Sequence, residues 1–245
     1  MRSLSAIACV LAVGCGSVAP ISIDAAGDGV AVDAVTVDAA PPDVAVDAST
    51  VDAAPGCAPV TLLVGGTDVG PQGWSTIMQP PATLTYGPDY VRLETTTPAT
   101  GTSGQLLLNL PGAFEPGKPF KVQVVLLVES VNPHNQFDAA AAILGSFEPP
   151  FGAGNDRGQM IYLDSGALGW ADDTQSALAA IQNNAYHTYE LSVGADQVAR
   201  VTIDGNPALM RPNFAFNGAL AIGDQTNDRN VDSVLRIRSV TKLCP

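Results

Sequence analysis

The chain has 245 residues, 46% hydrophobic and only 14% charged, with a net charge of −13. That length holds one large or two small domains, and the excess of acid excludes nucleic-acid binding through clustered Lys and Arg. The charge is uneven: residues 16–56 carry seven Asp and no Lys or Arg, whereas residues 57–245 carry 17 acids against 10 bases.

The chain opens on MRSLSAIACVLAVG (1–14), one Arg followed by an apolar run from Leu4 to Gly14. A spanning helix needs roughly 20 apolar residues, so this shorter run suits the h-region of an export signal. Leu11-Ala12-Val13-Gly14-Cys15 resembles a bacterial lipoprotein box, with Ala12 where Leu is commoner. The resemblance implies that residues 1–14 are removed and that Cys15 is diacylated, which makes a membrane the first partner. Gly16 rather than Asp after the cysteine implies sorting to the outer membrane of the cell envelope. An ordinary secretory signal that leaves Cys15 unmodified is the competing reading.

Residues 15–56 form a ladder: IDAAGDGVAVDAVT (23–36), VDAAPPDVAVDAST (37–50), then VDAAPG before Cys57. The segment has no aromatic and no basic residue, and its apolar side chains are interrupted by Pro, Gly and Asp. It cannot bury enough apolar surface to offset the entropy of ordering it. The expectation is a disordered acidic linker spanning roughly 35 Å root-mean-square, longer if its charges extend it.

From Cys57 the texture changes to period-two runs. Strands are predicted over 83–95 in two pieces, 104–110, 120–129, 137–147, 158–164, 166–171, 187–194, 198–203, 208–211, 216–223 and 232–240. FKVQVVLLVE (120–129) sets Phe120, Val122, Val124, Leu126 and Val128 on one face, the mark of a half-buried strand. Asp204-Gly205-Asn206 joins 198–203 to 208–211 as a hairpin. SALAAIQ (176–182) is the one helical suggestion. These signals predict an all-β fold, a two-sheet antiparallel jelly-roll sandwich over 57–245. With Cys9 in the signal and Cys15 at the lipid site, Cys57 and Cys244 remain, and an oxidising envelope favours a bridge between them. Closing so long a loop contributes about 4–5 kcal/mol in the chain-entropy model.

The pieces YHTYELSVG (186–194), VARVTIDGNPAL (198–209), GALAIGDQTND (218–228) and VLRIRSV (234–240) resemble the concanavalin A-like lectin/glucanase sandwich, which includes laminin-G-like modules. The resemblance implies the fold; that architecture hosts binders, hydrolases and passive spacers.

Glycoside hydrolysis needs two carboxylates flanking the bond, and the Glu-x-Asp-x-x-Glu pattern of laminarinase-like members is absent. Glu129, Glu148 and Glu190 lack partners at that spacing, so a non-enzyme is expected. Sugar binding needs an aromatic face and oriented polar groups. The candidates are Tyr162, Trp170 and Asp172, together with His134, Asn135 and Asp138 in NPHNQFD (132–138). An exposed Trp170 favours binding, and a buried one favours a spacer. For calcium, which takes several oxygen ligands, the candidates are Asp224, Asn227 and Asp228, though Asp and Asn also serve turns; no cofactor is required. His134 and His187 have no zinc spacing. The expected function is a lipid-anchored module that binds a glycan or surface protein. The alternatives are a structural or adhesive spacer and a polysaccharide-active hydrolase.

Overall fold

A computed structural model describes residues 57–96, 104–148 and 156–245; the signal, Cys15 and the acidic repeat lie outside the described residues. The period-two runs pair into two antiparallel sheets. The first holds β1 (Val60–Val64), β3 (Thr83–Tyr86), β4 (Val91–Glu94), β6 (Phe120–Val131), β11 (His187–Val193), β12 (Ala199–Ile203), β13 (Asn206–Arg211) and β15 (Ser233–Leu243). Its order is β13-β12-β11-β6-β15-β4-β3, with β1 also laid along β15. The second holds β2 (Ser75–Gln79), β5 (Gln105–Leu110), β7 (Ala142–Leu144), β8 (Met160–Leu163), β9 (Ala167–Trp170), β10 (Ser176–Leu178) and β14 (Leu220–Asp224), in the order β10-β9-β8-β7-β14-β5-β2. The chain is an all-β, two-sheet antiparallel jelly roll, as its patterning predicts.

Burial separates the two sheets. In β6 every second side chain from Phe120 to Val128 is buried between the sheets, and Lys121, Gln123 and Val125 face outward. The inner strands of the second sheet are covered on both faces, whereas its edge strands β2 and β10 are exposed. Leu106, Leu108, Ile143, Ile161, Leu163, Leu168, Trp170, Leu220 and Ile222 join the central core. Leu107, Ala142, Leu144, Met160, Tyr162 and Ala221 form a separate outer cluster, roofed by Ala139 and Phe147 from the loops flanking β7. Strands buried on both faces need no polar alternation, hence the continuous runs LLL, AIL and MIYL.

Some elements depart from expectation. SALAAIQ is not helical: Ser176, Ala177 and Leu178 pair with Gly169, Leu168 and Ala167 of β9, and ladder bonds override an alanine-rich helical preference. The predicted strand 137–147 shrinks to Ala142–Leu144, because residues 132–141 leave the ladder as a loop. β1 and β2 carry no predicted counterpart. The Asp204-Gly205 hairpin forms as predicted.

β6 and β15 fix two poles. Val131 pairs with Ser233 at one end and Lys121 with Leu243 at the other. The first pole gathers Thr95 at the end of β4 and the loops after β6 and β14; the second carries the predicted disulfide, Cys57 to Cys244, with Cα atoms 5.8 Å apart.

Candidate functional site

Loop 132–138 leaves β6 tied to the start of β15: Asn132 N donates to the Asp232 carbonyl at 2.9 Å, and Asp232 N donates to Asn132 Oδ1 at 3.2 Å. Asn135 then builds an Asx turn, its Oδ1 accepting from the Phe137 and Asp138 amides at 2.8 and 3.0 Å. Asn favours such turns because its short side chain reaches its own backbone two residues on. The turn throws the Phe137 ring into solvent, 69% exposed.

His134 anchors the loop to the second sheet. Its backbone N donates to Asp164 Oδ1 at 3.0 Å, its Nδ1 lies 2.8 Å from Asp164 Oδ2, and its Nε2 lies 3.0 Å from Asp173 Oδ1. The ring stacks on Tyr162, centroids 3.5 Å apart and planes within 15°. Gly169, directly across from Tyr162, makes room: a Cβ there would meet the Tyr162 ring and hydroxyl at about 2.5 Å. Burial pushes the Tyr162 hydroxyl pKa up, so it stays a neutral phenol. Asp173 offers its carboxylate from a left-handed backbone, φ 59°.

Asp172 looks elsewhere. Burial alone would raise its pKa, but the Arg211 guanidinium at 2.5 Å and the Thr174 hydroxyl at 2.7 Å hold the carboxyl below the usual range. Arg211 belongs to β13 of the first sheet and also lies over Trp170, 5.0 Å from its ring centroid. This cluster clamps the sandwich edge. Arg157, ahead of β8, donates to the carbonyls of Asn135 (3.2 Å), Phe137 and Ala171.

At the same pole Asp224 is 1% exposed. Thr95 Oγ1 donates to its Oδ2 at 2.6 Å and the Thr226 amide to its Oδ1 at 2.9 Å. Burial, reinforced by the Asp232 and Asp138 carboxylates, pushes its pKa up to about 8 against these two donors. Asp228 Oδ1 accepts from the Asn230 amide and side chain, both at 3.0 Å. Asn227 Nδ2 donates to Gln79 Oε1 at 3.3 Å.

The predicted residues therefore divide. His134, Asn135 and Asp138 share one loop, with Tyr162 beneath His134 and Asp172 one residue from its partner Asp173. Trp170 needs correction as a stacking face: it is fully buried and unexposed, packed with Phe214 in the central core. Its strand position points it between the sheets. Asp224, Asn227 and Asp228 are each bonded to a different protein partner. Among the described residues no three His, Cys, Asp or Glu side chains converge at metal-binding range. Glu129 is bound by Arg92 and Arg236, and Glu190 by Lys121 at 2.8 Å.

Three residues went unrecognised in the sequence. Phe137 looks like a strand residue, and only its place two positions after an Asn that can form an Asx turn signals exposure. Arg157 and Asp164 join the loop across 22 and 30 positions, a separation that carries no local signal.

No family model and no curated protein matches the chain. Solved structures do. The exoplasmic/lumenal domain of VIP36, in a form bound to Ca2+ and mannose, is 13% identical with a TM-score of 0.52, over 76% of this chain and 89% of that one. The carbohydrate recognition domain of Emp46p, in a metal-free form, is 10% identical with a TM-score of 0.50, over 75% and 95%. A protein described as a conserved carbohydrate esterase of the Shiga toxin-encoding bacteriophage phi24B is 17% identical with a TM-score of 0.48, over 77% and 100%. At such identities likeness shows architecture alone: the chain folds as a two-sheet antiparallel jelly roll, like the VIP36 and Emp46p domains.

Proposed function

We propose that residues 57–245 are a non-catalytic glycan-binding module, held at the cell envelope by a lipid on Cys15 and an acidic tether over 16–56. The observation that carries this reading is the exposed Phe137 ring, presented by a loop that His134 ties to Asp164 and Asp173. An aromatic face beside fixed polar groups suits a sugar, whose C–H faces stack while its hydroxyls are bonded. Carbohydrate recognition by the similar Emp46p domain, and mannose on VIP36, support the choice of ligand class. Cys57, where the described module begins, lies at the pole opposite Phe137.

A glycan array probed with the detergent-purified full chain tests the reading. Binding to one glycan class, weakened about tenfold by Phe137→Ala, is the expected result; a ring stack contributes on the order of 1 kcal/mol. A uniformly blank array would leave the passive spacer, the reading that the burial of Trp170 favours. The anchor has its own test: mass spectrometry of the mature N-terminus should find an acylated Cys15, and a free thiol there would reject it.

A further inference from the structure

A polar loop keeps one shape only when its backbone carbonyls have donors. The Asx turn satisfies the Phe137 and Asp138 amides but leaves the Asn135 and Phe137 carbonyls to be bonded. Arg157 bonds both. One terminal nitrogen donates to the Phe137 carbonyl; the other donates to the Asn135 carbonyl and to the Ala171 carbonyl at the end of β9. Gln225 Nε2 adds a longer bond to Phe137 at 3.5 Å. Burial lowers the pKa of this guanidinium, partly offset at longer range by the Asp173, Asp138 and Asp172 carboxylates. A guanidinium fixed on three carbonyls takes up oxygens of the kind that a hard divalent ion uses in an oxygen-lined loop. The residues predicted to hold such an ion are meanwhile bonded to Thr95, Thr226, Gln79 and Asn230.

We propose that Arg157 is the positioning residue of the Phe137 loop, an internal cation that holds the loop in its presenting shape without calcium. The planar fork matters, because one guanidinium reaches three carbonyls from two nitrogens, a geometry that a lysine ammonium does not reproduce. The inference rests on the glycan-binding reading for what the loop is for, but the loop's order can be measured without any ligand.

Hydrogen exchange of the Phe137 and Asp138 amides in the full chain is that measurement. Wild-type protection should be the same in EDTA and in millimolar calcium. Arg157→Ala and Arg157→Lys should each speed exchange at these two amides about tenfold or more, the scale of a lost charge-assisted hydrogen bond, and leave β6 amides unchanged. Guanidinium added at non-denaturing concentration should restore protection in Arg157→Ala, whereas methylammonium should not. Protection in the wild type that collapses in EDTA and returns with calcium would overturn the proposal, whether or not the variants fold. Unchanged exchange in a folded Arg157→Ala would overturn it as well. The expected exchange pattern together with a blank glycan array would remove the ligand reading and support the assignment of Arg157.

Discussion

Phe137 and Asp224 show how one residue can be read from the sequence in one respect and hidden in another. A phenylalanine is ordinarily core material, and the period-two pattern around 137–147 places Phe137 in a strand. What exposes it is the Asn135 side chain, which bonds two amides and turns the backbone out of the ladder. Asn135→Ala should therefore loosen the loop and weaken glycan binding nearly as much as Phe137→Ala, with a melting temperature that moves by only a few degrees; array titration with parallel thermal scans would show it. Asp224 was legible as an acid in a turn, but its burial was not. Its carboxyl has a pKa near 8 in the fold against an ordinary 3.8, so the folded state holds the proton more tightly. That contribution is complete below the ordinary value and is lost as pH rises through about 8. The stability of the wild type relative to Asp224→Asn, measured by urea unfolding, should fall steadily from pH 4 to pH 8. A flat difference across that range would show that burial does not govern this group.

At the scale of the element, strand edges are the feature that needs explaining. β1 pairs with β15 on one side only, and an unpaired edge invites other strands. Two side chains close it. Gln72 acts as a surrogate peptide, its Oε1 accepting from Val64 N at 2.6 Å and its Nε2 donating to the Val64 carbonyl at 3.2 Å. Trp74 Nε1 donates to the Leu62 carbonyl at 2.8 Å. Gln72→Ala should cost about 1 kcal/mol and raise the exchange rate of the Val64 amide several-fold, with the Leu63 amide, inside the ladder, unaffected. The strands of the first sheet other than β1 were legible because one face is wet and their side chains alternate. β10 was not, because three residues carry too little periodicity, and its identity comes from β9 beside it. β1 and β2 fall between these cases, being short and largely exposed.

Across the described module, the eleven residues of β15 separate the Phe137 pole from the disulfide pole by about 33 Å. The Cys57–Cys244 bridge joins the ends of the module across 187 positions. Replacing both cysteines with alanine should lower the unfolding free energy by about 2–5 kcal/mol and leave glycan affinity unchanged, because bridge and candidate site lie at opposite ends; denaturant titration and the array together would check both halves. The sequence by itself determined the sandwich class, the pairing of the last two cysteines and the polar loop at 132–138. Each of these rests on local period, residue type or elimination, which the order of side chains along the chain contains. Tertiary structure alone decided that Trp170 is core, that Phe137 is surface, and that Arg157 and Asp164 brace a loop far from them in sequence. Those outcomes depend on which sheet face is roofed and which carbonyls lack donors, and both arise only when distant strands pack.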